Sequence, residues 1–143
     1  MRVPERAVRK ANADDVNLVF AFDQESAKPG RKQFLQRAIG SGNAYVAVQG
    51  GSFVGVGVLE YTFFEHGFIS LVYVDPRERR TGVGELILRH LVATCRTSKI
   101  FSSTNLSNLP MQALFAKTGF KVSGMIHDLD PNDPEVIYYI SKH

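Results

Sequence analysis

The 143-residue chain has 44% apolar and 22% charged residues, the balance of a globular protein that buries its own core. Its formal net charge of +3 is mild; it carries no dense basic stripe of the kind a nucleic-acid groove needs, and no apolar run long enough to cross a bilayer. A single cysteine, Cys95, excludes an internal disulfide and points to a reducing compartment, the cytoplasm, and the charged stretch from Met1 to Lys10 lacks the apolar segment of a secretion signal.

Residues 7–11 read as a first strand. Ala13-Asp14-Asp15 opens a helix, with acids in the first turn where the helix dipole favours them. It carries Val16, Leu18, Val19 and Phe22 as its apolar side and fades near Glu25. Lys28-Pro29-Gly30 breaks the chain, and a second helix runs over 32–40 with Phe34, Leu35 and Ala38 on one side. An antiparallel meander follows: a strand over 43–49, a Gly50-Gly51 turn, a long strand over 52–64, a turn over 65–67 and an apolar strand over 68–74. A helix over 82–95 places Val83, Ile87, Leu91 and Cys95 on one apolar face, so Cys95 is expected in the core. Residues 100–104 form a strand. Pro110 suits the first turn of the next helix and Gly119 its C-cap. Strands over 121–126 and 136–140 close the chain. The expected order is β-α-α-β-β-β-α-β-α-β-β in one domain over 1–143. The helix between the fourth and fifth strands makes those two parallel, by the right-handed crossover rule.

The segment richest in chemistry runs from Leu71 to Leu86: a buried strand, a loop and a helix start punctuated by glycine. N–H groups at a helix start lack intrahelical partners and sit at the positive end of the dipole, which suits phosphate. Gly82 and Gly84 let an anion approach the backbone, and Arg79 and Arg80 add charge. The pattern is no nucleotide P-loop, which needs G-x-x-x-x-G-K-[ST]. It also lacks the third glycine of the dinucleotide fingerprint, because Ile87 stands there.

Arg79-Arg80-Thr81-Gly82-Val83-Gly84 is similar to R/Q-x-x-G-x-G/A, the pyrophosphate-binding motif of the GCN5-related N-acetyltransferases. The stretch from Asn105 to Phe120 resembles that family's second signature, N-x-x-A-x-x-L-Y-x-x-x-G-F, with Asn108, Leu114, Gly119 and Phe120 in place. With both segments in the right order, the chain is identified as a member of this family and resembles uncharacterised bacterial members. The tail over 128–139 is similar to that of a set of them. The resemblance is weakest over residues 1–40.

The resemblance implies the acyl-CoA N-acyltransferase fold of the α/β (α+β) class. Its sheet is mixed and mostly antiparallel, flanked by helices, with the fourth and fifth strands splayed. It implies acetyl-coenzyme A as co-substrate, no metal, and direct transfer to a primary amine of a small molecule or peptide; many relatives are dimers. The pantetheine arm would pair with the backbone of Val72, Tyr73 and Val74. The Val72 N–H would stabilise the oxyanion. The pyrophosphate would lie on Arg79, Arg80, Thr81, Gly82, Val83, Gly84 and Glu85, and Asn108, with Asn105 second, would bind the pantetheine. Phe115 stands at the cofactor-facing position where the family places its acid, a tyrosine, and cannot give a proton to the thiolate. Phe68 stands where some members place a basic glutamate. Glu60, His127 and Asp128 are the remaining candidates for the base, although Glu60 also reads as a surface residue at a strand end and His127 as a loop histidine. Tyr61 and Tyr73 read as packing residues. Asp128, Asp130, Asp133 and Glu135 form an acidic rim that suits a cationic amine. The competing readings are a coenzyme A-binding domain with weak or no catalysis and a dinucleotide-binding protein.

Overall fold

The strand, helix and turn signals resolve, in a computed structural model that describes residues 5–142, into seven strands and four α-helices among the described residues. Met1–Pro4, part of the charged opening stretch, and His143 lie outside the described residues. The elements are β1 (Arg6–Lys10), α1 (Val16–Phe22), α2 (Arg31–Gly40), β2 (Ala44–Gln49), β3 (Ser52–Phe63), β4 (His66–Val74), α3 (Val83–Thr94), β5 (Lys99–Asn105), α4 (Leu109–Lys117), β6 (Lys121–Ile126) and β7 (Glu135–Ser141). The sheet order is β1-β2-β3-β4-β5-β7-β6. β1 and β2, β2 and β3, β5 and β7, and β6 and β7 pair antiparallel. β4 and β5 are parallel, as the crossover rule requires, with Gly67–Ile69 joined to Ile100–Ser102.

The chain divides into two units, the first comprising residues up to 58 and 71–90, the second 59–70 and residues from 91 on. In the first unit, Val19 of α1 and Leu35, Ala38 and Ile39 of α2 pack on Val46, Val56, Val58 and Tyr73. Asn12 opens this layer by accepting the Asp14 N–H (3.0 Å), while Asp15 reaches back to the Asn12 N–H (2.8 Å) and holds Arg9 (2.7 Å). Gly55 is a packing requirement. A Cβ there would lie 2.6 Å from Ile87 Cδ1 and 2.9 Å from Val83 Cγ1, so glycine is what lets α3 lie against β3.

In the second unit, alternate residues of β5 and β7 take opposite faces. Ile100, Ser102, Thr104, Val136 and Tyr138 are buried, and Phe115 of α4 stacks on Tyr138. Phe101, Ser103, Asn105, Glu135 and Tyr139 are half-buried on the other face. Cys95 is buried, as its helical spacing suggests, in the space that Gly67 leaves open. β6 is an edge strand whose residues are all exposed.

Two expectations need correction. The turn before β4 is Phe64-Glu65, with φ of 51° and 68°, and not residues 65–67; β4 therefore begins at His66. A hairpin turn with positive φ at both central positions normally carries Asn and Gly there, and neither residue type is present to mark it. Leu18 is 60% exposed. A 3-10 turn over Ala13–Asp15 sets the phase of α1, and Val16, Val19 and Phe22 at three-residue spacing then form its inner side.

Candidate active site

β4 ends in Val72, Tyr73 and Val74, and the chain then turns through Asp75. Asp75 accepts the Arg77 N–H (3.0 Å) and pairs with the Arg77 guanidinium (3.0 Å). That side chain first, and the amide second, hold its carboxyl below the ordinary value of 3.8. Arg80 (φ 65°) and Gly82 (φ 94°) then bend the loop through left-handed conformations. The first bond of α3 runs from the Leu86 N–H to the Gly82 carbonyl (3.0 Å), so the Val83 and Gly84 N–H groups precede the helical ladder. A Cβ on Gly82 would meet nothing within 4 Å, which leaves open space over this turn. The Val83 and Gly84 N–H groups and the open space at Gly82 thus stand at the residues that the resemblance assigns to the pyrophosphate.

A residue that the sequence reading passed over braces this loop. Arg6 of β1 donates to the Thr81 carbonyl (2.5 Å) and Thr81 Oγ1 (2.8 Å) and pairs with Glu78 (3.3 Å). Seventy-five positions separate Arg6 from Thr81, so only the pairing of β1 at the sheet edge could have marked it. Arg79 Nε donates to the Val74 carbonyl (3.3 Å), and its guanidinium lies 5.9 Å from the centre of the Tyr73 ring. Glu85 holds Arg89 (2.9 Å). Tyr73 is buried, meets Phe22 edge-on and accepts the Gln24 N–H at its hydroxyl (3.3 Å). Gln24 belongs to the loop after α1, which Asp23 fixes by pairing with Arg31 (2.8 Å). A cavity of about 480 Å3 lined by Leu18, Phe22, Phe53, Asp75 and Arg77, among others, contains none of the motif residues 79–85.

The first unit thus gathers Val72, Tyr73, Val74 and Arg79 to Glu85, and the other sequence candidates belong to the second. Asn108 is the N-cap of α4: its Oδ1 accepts the Met111 N–H (3.2 Å). Asn105 donates to Asp130 (2.9 Å). Phe115 has no exposed surface and is enclosed by Tyr138 and Phe120, so the ring stands in a core. Glu60 is half-buried on β3, and His127 and Asp128 are exposed beyond β6. Tyr61 accepts the Arg96 N–H (3.2 Å) and carries the Arg96 guanidinium 4.0 Å from its ring centre; burial pushes its phenol above the ordinary 10.0. Ser70 Oγ is buried without a partner among the described residues. The acidic rim is largely engaged: Asp130 with Asn105, Asp133 with Ser107 (2.6 Å) and Glu135 with Ser103 (2.6 Å).

The chain resembles known proteins along most of its length. Residues 13–120 match the model of the acetyltransferase (GNAT) family. A GNAT-family acetyltransferase from Bacillus cereus is 34% identical, with 97% of this chain and 99% of that one covered and a TM-score of 0.91. A Bacillus anthracis protein solved in complex with acetyl coenzyme A shares the fold at 16% identity, 96% and 99% coverage and a TM-score of 0.78. A human cysteine-rich protein 2-binding protein is 31% identical over 65 residues, which are 46% of this chain and only 8% of that protein's length. No helix among the described residues is long and apolar enough to cross a membrane. The fold, the glycine turn at the start of α3 and these similarities agree: the chain belongs to the acetyltransferase (GNAT) family of enzymes, whose acetyl donor is acetyl-coenzyme A.

Proposed function

We propose that this protein transfers the acetyl group of acetyl-coenzyme A directly to a primary amine of a small molecule or peptide. The observation that carries the reading is the open glycine turn before α3, with the Val83 and Gly84 N–H groups ahead of the first helical bond and two arginines beside it. The Val72 to Val74 backbone holds the pantetheine arm. The Val72 N–H polarises the thioester carbonyl and stabilises the oxyanion as the amine attacks. The C–N bond forms as the C–S bond breaks, and the thiolate leaves without a proton from Phe115. Glu60 and His127 are the candidates to relieve the amine of its proton. The single buried thiol supports a cytoplasmic setting.

Thermal unfolding with acetyl-coenzyme A and with NAD tests the reading. A ligand at 100 times its Kd adds about 2.7 kcal/mol, which for a chain of this length raises Tm by roughly 5–10 °C. A shift with acetyl-coenzyme A alone is expected, followed by release of thiol with amines. A larger shift with NAD overturns the reading. Binding without turnover on any amine favours a coenzyme A-binding domain instead.

A further inference from the structure

The face of the second unit's sheet turned away from α4 is floored by rings. Phe63 lies 4.9 Å from Phe68 and 5.1 Å from Phe101, and Phe101 lies 6.0 Å from Tyr139, measured between ring centres. The row follows the strand register: Phe68 pairs with Phe101 and Phe101 with Tyr139. All four rings are half-buried. Two residues along the same face, Ser103 stands opposite Ile137, and Ser103 Oγ donates to the Glu135 carboxylate at 2.6 Å. Residues two apart on a strand share a face at about 6.6 Å, so the carboxylate and the nearest rings are within the span of one small ligand. Charge gives the face a direction along the strands. Glu135, opposite Asn105, lies four residues along β7 from Tyr139, and Lys121, paired with Tyr139, flanks the ring end.

We infer that this face is the acceptor platform, and that it takes a primary amine carrying an aromatic group, with the ammonium on Glu135 and the ring on the Phe68-Phe101-Tyr139 row. The inference rests on the acetyltransferase reading above and names the substrate class for it. The ammonium supplies the donor that Glu135 can still accept beyond Ser103, since a carboxylate has several lone pairs. The rings reward a flat partner by edge and face contact beyond simple burial. Lys121 repels an ammonium at the opposite end and so fixes which way the ligand lies. A polyamine has nothing to pair with the rings.

The test compares phenethylamine, butylamine and spermidine as acceptors by thiol release. Binding of phenethylamine to the protein is followed separately by saturation-transfer NMR without acetyl-coenzyme A. Phenethylamine is expected to exceed butylamine by about tenfold in kcat/KM. Glu135→Gln raises its KM about tenfold and leaves the acetyl-coenzyme A thermal shift in place. Phe101→Leu raises the KM of phenethylamine about fivefold but not that of butylamine. Equal use of the three amines, or a KM indifferent to Glu135→Gln, overturns the inference. If acetyl-coenzyme A gives no thermal shift while phenethylamine still binds in a Glu135-dependent way, the platform stands and the acetyltransferase reading falls. If phenethylamine does not bind, the platform falls whatever the cofactor does.

Discussion

Phe115 stacks on Tyr138 with ring centres 4.6 Å apart and planes 24° from parallel, and no part of Phe115 reaches solvent. The ring at the family's tyrosine position is therefore a core residue here. Phe115→Tyr is expected to bury a hydroxyl without a partner and to cost about 1–3 kcal/mol, with no gain in turnover. Urea denaturation and thiol release measure the two effects. A faster and equally stable variant would show that a hydroxyl at this position does reach the leaving thiolate.

Gly82 has φ of 94° with free space around its missing side chain. Gly82→Ala meets no clash but must hold a left-handed backbone, at about 1–2 kcal/mol. Lower Tm is expected together with a smaller thermal shift from acetyl-coenzyme A. Gly82→Asn, which tolerates that conformation better, should lose less of both.

Gly55 fails for the opposite reason, lack of room. Gly55→Ala drives a methyl into Ile87 and Val83, and overpacking of this kind costs about 1–3 kcal/mol. Val83 begins α3, so the displacement reaches the glycine turn at Gly82. Calorimetric titration should show weaker coenzyme A binding as well as lower stability.

Asp15 and Asp75 titrate below their ordinary value of 3.8, Asp15 chiefly through the Arg9 side chain and Asp75 chiefly through that of Arg77. A carboxyl depressed in the folded state stabilises the fold above its unfolded pKa, and that contribution is lost as pH falls through the folded value. Unfolding free energy should hold steady from neutral pH to about pH 5 and decline below about pH 4. Asp15→Asn should be less stable by about 1–2 kcal/mol at pH 7, with the gap to the parent closing in acid. A gap independent of pH would assign the loss to packing.

Much of this architecture is legible in the sequence because its signals are local. The glycine turn, the Asn108-Leu109-Pro110 helix start and the Gly119 cap each announce themselves within four residues, and the element order follows from them. What the sequence hides depends on partners far along the chain. Nothing near Arg6 says that it clasps Thr81, and nothing near Glu135 says that Ser103 holds it. The pantetheine candidates show the same limit from the other side. Asn108 matches a family position and Asn105 is the second candidate, yet the fold also employs them, Asn105 on Asp130 and Asn108 as a helix cap. Phe64-Glu65 was hidden for a different reason: its backbone takes the turn conformation without the residues that usually advertise it.

The chain's one sulfhydryl is 4% exposed, tucked into the space that Gly67 leaves beside it. Coloured thiol reagents therefore have nothing to label on the intact protein, and a continuous assay of released coenzyme A starts from a clean baseline. The same reagent, left in excess with no substrates present, becomes a clock: each molecule labelled is one whose second unit has opened, so the slow rise in colour reads the rate at which that unit breathes.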